Sequence, residues 1–304
     1  MLAFFAKIFG VVLKLLYNLV GNYGWAIILF SILVKVIMIP ISIKQQKAMK
    51  KNQKIQEEMK TIQFKYKNDP EKLNQEVMAL YKREGASPFS GCLSSIVQII
   101  LLFSVFLLVR QPLTYMVRID PEPLSKMEAI VQEQNSDSRN AYMEISLIQY
   151  VKNINTETSV VEKDGVNILD YKDKINLNMD FLGIDLSQIP TQNWKDVRTL
   201  IIPILYVISS FISIKLSSSM TNQKQEKKLI TDGQQKEGEE KNYNPMDDAS
   251  KTMVWMMPIM SVSIAAIAPL GLALYWLMNN ILMIIERLVL NKILNKEEEA
   301  EDNA

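Results

Sequence analysis

Residues 23–43 read YGWAIILFSILVKVIMIPISI, an apolar run of about the 20 residues that a helix needs to cross a bilayer. Lys35 stands near its middle. If the run spans, Lys35 lies about eight residues, or roughly 12 Å at 1.5 Å per residue, from the nearer end. A lysine stem reaches only about 6 Å, so snorkelling alone does not bring the ammonium to bulk water. Water within the protein or an acidic partner must supply the rest. An ionisable residue at this depth costs about 2.5–3.5 kcal/mol even on the lenient insertion scale, which makes Lys35 a functional-site candidate.

Four further apolar runs follow, Cys92–Val109, Thr199–Ile214, Met253–Ala268 and Gly271–Leu290, the last two separated by Pro269-Leu270. Each is near the length of a membrane helix. The expected fold is an all-α integral membrane protein with five transmembrane helices, a cytoplasmic helical hairpin and a small external α+β insertion. Residues 44–87 carry eleven Lys or Arg against six Asp or Glu, with Lys44, Lys47, Lys50, Lys51 and Lys54 abutting the first span. That side is cytoplasmic by the positive-inside rule. Alternation places residues 112–198 outside, where nine basic residues face fourteen acidic ones. The expected division is an amphipathic interfacial helix over 1–20, spans over 21–43, 92–110, 199–216, 253–268 and 271–292, a hairpin over 44–91, an external segment over 111–198, a mobile cytoplasmic linker over 217–252 and an acidic cytoplasmic tail over 293–304. For residues 1–20, an uncleaved signal and a sixth span remain open, because Lys7, Lys14 and Asn18 share one helical face but no clean cleavage site is present.

Two soluble elements stand out. Ile55, Met59, Ile62 and Tyr66, then Leu73, Val77, Leu80 and Tyr81, carry helical periodicity on either side of Asn68-Asp69-Pro70-Glu71. Asp69 suits an N-cap and Pro70 the first helical position, so the chain turns there and a second helical arm begins. The basic faces of this hairpin suit a docking or gating arm. Outside, Ser159-Val160-Val161 and Val166-Asn167-Ile168-Leu169 flank Asp164-Gly165 as a small β-hairpin, and residues 124–153 read as helical.

Composition excludes much chemistry. Histidine is absent and Cys92 is the single cysteine, which removes Ser-His-Asp and Cys-His nucleophiles, His-containing metal sites and any intrachain disulfide. No phosphate-binding glycine loop is present either. The expectation is a non-enzyme without metal or cofactor and without direct nucleic-acid binding.

The polar residues of the spans form stripes. At 100° per residue, Ser31, Lys35 and Ser42 fall within about 40° of each other. Ser94 and Gln98 share a face of the second span, and Tyr206, Ser209, Ser210, Ser213 and Ser217 cluster on the third. On the fifth, Trp276, Asn280 and Arg287 align, with Asn279 and Glu286 on the flank. Single serine stripes suit close helix packing. Amides beside a buried lysine suit a water-filled cavity open to the cytoplasm. Glu286 is the one acid within the five runs, so a structural Lys35–Glu286 ion pair is the competing reading.

In these residues the chain resembles the YidC/Oxa family of membrane-protein insertases. The resemblance rests on Asn22-Tyr23-Gly24, the charged residue and Pro40 of span one, Ile43-Lys44-Gln45, Ser87-Pro88-Phe89 with Gly91-Cys92-Leu93, and Phe181-Leu182-Gly183-Ile184-Asp185-Leu186. It continues through Met257-Pro258, Pro269-Leu270-Gly271-Leu272, Leu274-Tyr275-Trp276 and Asn279-Asn280. It covers residues 20–292, apart from part of the external segment. The resemblance implies a five-helix core with a hydrophilic groove open to cytoplasm and lipid, here lined by Lys35, Ser31, Gln98, Ser209, Ser213, Trp276, Asn280 and Glu286. It implies a membrane insertase and chaperone of the bacterial cell membrane that draws in polar tails of nascent membrane proteins and releases their apolar helices into the bilayer. The ribosome and the Sec translocon are further expected partners, met by the basic arm bearing Lys44, Lys47, Lys50, Lys51 and Lys54 and its turn at Asp69-Pro70. A transporter or lipid scramblase lined by the same stripes is the alternative.

Several positions depart from the family pattern. Lys35 replaces the more usual arginine, Ser213 and Glu286 stand where glutamine is common, and Ser94 replaces a proline. Residues 118–176 exceed the usual external loop, and Glu297-Glu298-Glu299 make the tail acidic.

Overall fold

The computed structural model describes residues 1–85, 90–134, 142–155, 160–231 and 263–302, and forms two compact units. The first comprises Met1–Leu33 with Phe103–Ile285, and the second Val34–Leu102 with Glu286–Ala304. The architecture is that of an all-α membrane protein with two minimal β-hairpins. Among the described residues, Leu2–Val20, Tyr23–Ala48, Arg198–Leu216 and Leu270–Ile293 are long and apolar enough to cross a membrane, and Gln98–Arg110 is a shorter apolar stretch. The fourth expected span and the Met257-Pro258 and Ser87-Pro88-Phe89 motifs lie largely or wholly outside the described residues.

Helix α1 (Leu2–Val20) ends on Gly21, whose φ of 65° is the left-handed C-cap conformation that favours glycine. Ala6, Gly10 and Leu13, spaced i, i+4 and i+7, form its buried stripe. Gly10 lies against the Tyr115 carbonyl so closely that a Cβ would overlap it. That carbonyl belongs to a π-turn, Leu113–Val117, which follows helix α4 (Ser90–Arg110).

Helix α2 (Tyr23–Lys65) runs unbroken for 43 residues, where the sequence reading divides a span from a separate arm at residue 43. The apolar signal ends there, but the Lys, Gln, Met and Glu that follow are strong helix formers, so the backbone ladder continues. Pro40 lies inside it, tolerated as prolines are in membrane helices. Helix α3 (Pro70–Arg83) starts as expected: the Lys72 N–H donates to Asp69 Oδ1 at 3.0 Å, and Pro70 occupies the first turn. Arg83 near its end pairs with Glu58 of α2, and Ile55 and Leu80 are buried.

In residues 111–198, helix α5 (Pro121–Gln134) packs on helix α6 (Met143–Lys152) through Met127, Ile130, Leu147, Ile148 and Val151. Strands β1 (Glu162–Lys163) and β2 (Val166–Asn167) turn through Asp164 and Gly165, both at positive φ as a two-residue hairpin turn requires. The first strand lies one residue beyond the expected Ser159-Val160-Val161, because the tight turn allows only the pairs Glu162–Asn167 and Lys163–Val166. After a short helix α7 (Lys172–Ile175), strands β3 (Asp180–Phe181) and β4 (Ile184–Asp185) form a second hairpin that overlaps the Phe181–Leu186 motif. Asn22 Nδ2 donates to the Asp180 carbonyl at 2.6 Å and the Tyr23 N–H to that of Asn178 at 2.9 Å, which ties this hairpin to the start of α2. Gly24 is needed there, since a Cβ would stand 2.5 Å from the Phe181 ring.

Helix α8 (Arg198–Thr231) continues past the expected span end, so residues 217–231 are helical where composition suggests a mobile linker. Residues 232–252 lie outside the described set. Helix α9 (Leu270–Asp302) likewise carries the acidic tail as helix. Its first N–H groups, on Leu270 and Gly271, donate to the carbonyls of Gln188 and Leu186 at 2.9 and 2.8 Å, satisfying donors that a helix N-terminus otherwise leaves free.

Candidate functional site

The candidate groove residues fall into one cluster in each unit. In the first unit, α8 and α9 bring together Tyr206, Ser209, Ser210, Trp276 and Asn280. Asn280 Nδ2 donates to Ser210 Oγ at 2.8 Å and to Ser209 Oγ at 3.3 Å. Both serine hydroxyls in turn donate to the Tyr206 carbonyl, at 2.9 and 2.7 Å. The Tyr206 and Trp276 rings lie 5.8 Å apart. The stripe is thus a connected polar ladder with an aromatic end, and Asn280 is the member that crosses between helices. Ser213 is buried on the same helix. Ser31 is also buried, and its hydroxyl donates to the Ile27 carbonyl of its own helix at 2.8 Å.

In the second unit, α2 and α9 bring Lys35 Nζ to within 2.6 Å of Glu286 Oε2. Both side chains keep little exposure, 17% and 13%. The ion pair that the sequence leaves as the competing reading is formed. It is incomplete, since Glu286 Oε1 is buried and has no hydrogen-bond donor among the described residues. A half-satisfied buried carboxylate is energetically expensive. Gln98 on α4 is exposed and accepts a long hydrogen bond, 3.5 Å, from Gln45 of α2.

On the basic arm, Lys44, Lys47 and Lys51 are exposed on α2. Lys50 and Lys54 lie on the same helix, with side chains outside the described set, as are those of Ser94, Cys92 and Ser217. Asp69 and Pro70 form the turn described above. No group of three or more metal-ligating side chains occurs among the described residues.

One buried group escaped the sequence reading. Glu144, 2% exposed, accepts from the N–H groups of Leu113 and Thr114 at 2.6 and 3.0 Å and from the Thr114 hydroxyl at 2.5 Å. It therefore holds the π-turn that receives α1. Burial pushes its carboxyl up to about 7, against the pull of those hydrogen bonds. The available signal was its place at the head of the stripe Glu144, Leu147, Ile148, Val151, spaced i, i+3, i+4 and i+7.

A sequence model of the family described as "60Kd inner membrane protein" matches residues 15–298. The chain is 28% identical over 290 residues to the protein named membrane protein insertase YidC of Treponema denticola, a match covering 95% of this chain and 38% of that relative. The protein of the same name from Chlorobaculum parvum is 28% identical over 282 residues, 92% of this chain and 35% of the relative. That of Helicobacter pylori is 45% identical over 106 residues, 35% of this chain and 19% of the relative. The chain spans little more than a third of the length of even the best-covered of these three.

Proposed function

This chain belongs to the 60Kd inner membrane protein family, known also as YidC/Oxa, and from that premise we propose that it inserts nascent membrane proteins into the bacterial membrane and chaperones them there. The observation that carries the proposal is the position of Lys35, a cation within the apolar stretch of α2 that keeps 17% exposure beside Glu286 of α9. A polar environment at that depth shortens the hydrocarbon path that a translocated tail must cross. Lys35 attracts a carboxylate in the tail more strongly against a low-dielectric wall than in water. The substrate's apolar helix then moves into lipid, and its burial drives the step, so that no nucleotide need be hydrolysed. Within the first unit, the ladder of Ser209, Ser210, Ser213, Trp276 and Asn280 offers hydrogen-bond partners to a passing backbone.

In this reading the α2–α3 arm and the C-terminus are cytoplasmic, and Lys44, Lys47 and Lys51 meet the ribosome or the Sec translocon. Helix α1 lies in the outer interface, with exposed Phe4, Ile8, Leu15 and Leu19 toward lipid.

The test is reconstitution of the purified chain in liposomes with a single-span substrate bearing an acidic tail, without ATP or the Sec translocon. Protease protection of the tail is expected. An unprotected tail beside a folded protein would contradict autonomous insertion and favour a Sec-dependent assembly role.

A further inference from the structure

The Lys35–Glu286 pair engages only one carboxylate oxygen. Oε2 meets the ammonium at 2.6 Å, while Oε1 is buried without a donor among the described residues. An ionised carboxylate has about four lone-pair positions over its two oxygens, so half of the acceptor capacity of Glu286 is uncommitted. Buried polar atoms in native proteins are almost always paired, and an exception calls for an explanation. Arg287, one residue further along α9, lies near enough to interact electrostatically with Glu286 but donates no hydrogen bond to Oε1.

Building on the insertase reading, we propose that Glu286 is a second recognition group of the site, whose Oε1 accepts a hydrogen bond from the ammonium or guanidinium of a basic residue in the translocated segment. Three observations support this. First, both side chains keep partial exposure, 17% and 13%, so a rotation of the Glu286 carboxylate presents Oε1, itself closed in the resting pair, to a substrate side chain. Second, Glu286 neutralises Lys35 within the pair and leaves Arg287 as the remaining charge of the cluster, so Lys35 does not act at a distance as a lone cation. Third, the two ends of the pair differ at contact: the ammonium donates to an acidic side chain, and Oε1 accepts from a basic one through a charge-assisted hydrogen bond. An acidic tail must compete with Glu286 for Lys35, whereas a basic tail docks with the pair intact. The site thus serves tails of either sign, and tails carrying both charges engage both ends.

The experiment presents acidic, basic and neutral tails of equal length to the full chain in liposomes and scores protease protection as the acidic-to-basic ratio. Glu286→Gln is expected to raise that ratio about tenfold, the worth of one charge-assisted hydrogen bond. Lys35→Gln is expected to lower it, and Glu286→Asp, which keeps the charge, to leave it near the wild-type value. A purely structural pair would lower insertion of all three tails alike and leave the ratio where it was. That result, with the wild type still inserting, overturns the assignment of Glu286 and spares the insertase reading; a wild type that protects none of the tails overturns both.

A second measurement needs no variant. A water-soluble carbodiimide, which takes up the carboxyl oxygen as urea, couples a carboxylate to an amine held against it. During insertion of a lysine-bearing tail, an amide between Glu286 and that lysine is expected by mass spectrometry. Coupling of Glu286 to Lys35 alone would contradict the proposal.

Discussion

At the scale of single residues, the charges that matter are those whose surroundings oppose them. Lys35 and Glu286 were legible in the sequence because each interrupts an apolar run, but their pairing stood only as an alternative to a water-filled cavity, since Arg287 offers the same carboxylate a second partner. Glu144 was not legible, because an acid in a net-acidic external segment reads as surface. Its burial appears only when α6 is laid against the π-turn. This carboxyl makes a pH prediction. Its folded value of about 7 lies above the ordinary 4.5, so between those values the folded protein holds a proton that the unfolded chain has released. The contribution of Glu144 to stability is therefore fully present below about 4.5 and is lost as pH rises through about 7. On protonation the Thr114 hydroxyl can reverse and accept, which preserves the contact. Thermal unfolding in detergent should show this part of the stability falling between those pH values, and Glu144→Leu should abolish that slope. Glu144→Ala should destabilise by about 2–3 kcal/mol, since it strands the Leu113 and Thr114 donors.

At the scale of elements, periodicity located helices well and their ends poorly. The N-terminus of α3 was legible because Asp69-Pro70 carries its own local chemistry. The continuations of α2 past residue 43, of α8 to Thr231 and of α9 to Asp302 were not, because a change from apolar to polar composition marks a membrane boundary and leaves backbone hydrogen bonding unaffected. Asp69→Ala should cost about 1 kcal/mol, the usual worth of a side-chain N-cap. Limited proteolysis should then cut α3 faster and leave the first unit unaffected. The docking of α1 depends on close backbone approach at Gly10, a constraint that no periodicity reveals. Gly10→Val should separate α1 from the π-turn, read as increased labelling of a cysteine introduced at Leu13.

At the scale of the whole molecule, the family was legible because its motifs sit at the helix ends and corners that the structure uses. Asn22 and Gly24 anchor the β3–β4 hairpin, and Leu186 and Gln188 cap the start of α9. The stripes proved to be of two kinds. Asn280 joins Ser209 and Ser210 across two helices, whereas the Ser31 hydroxyl bonds only within its own helix among the hydrogen bonds of the described residues. At 100° per residue these look alike, and the distinction depends on whether a neighbouring helix supplies a partner. In the proposed function Lys35 acts on the charge of the translocated tail. The most direct measurement is protease protection, in liposomes, of acidic and neutral tails by the wild type, Lys35→Ala and Lys35→Arg. The account predicts that Lys35→Ala lowers protection of the acidic tail about tenfold, with the neutral tail far less affected, and that Lys35→Arg restores it. Equal loss for both tails would contradict an electrostatic role and leave Lys35 as one half of a structural ion pair.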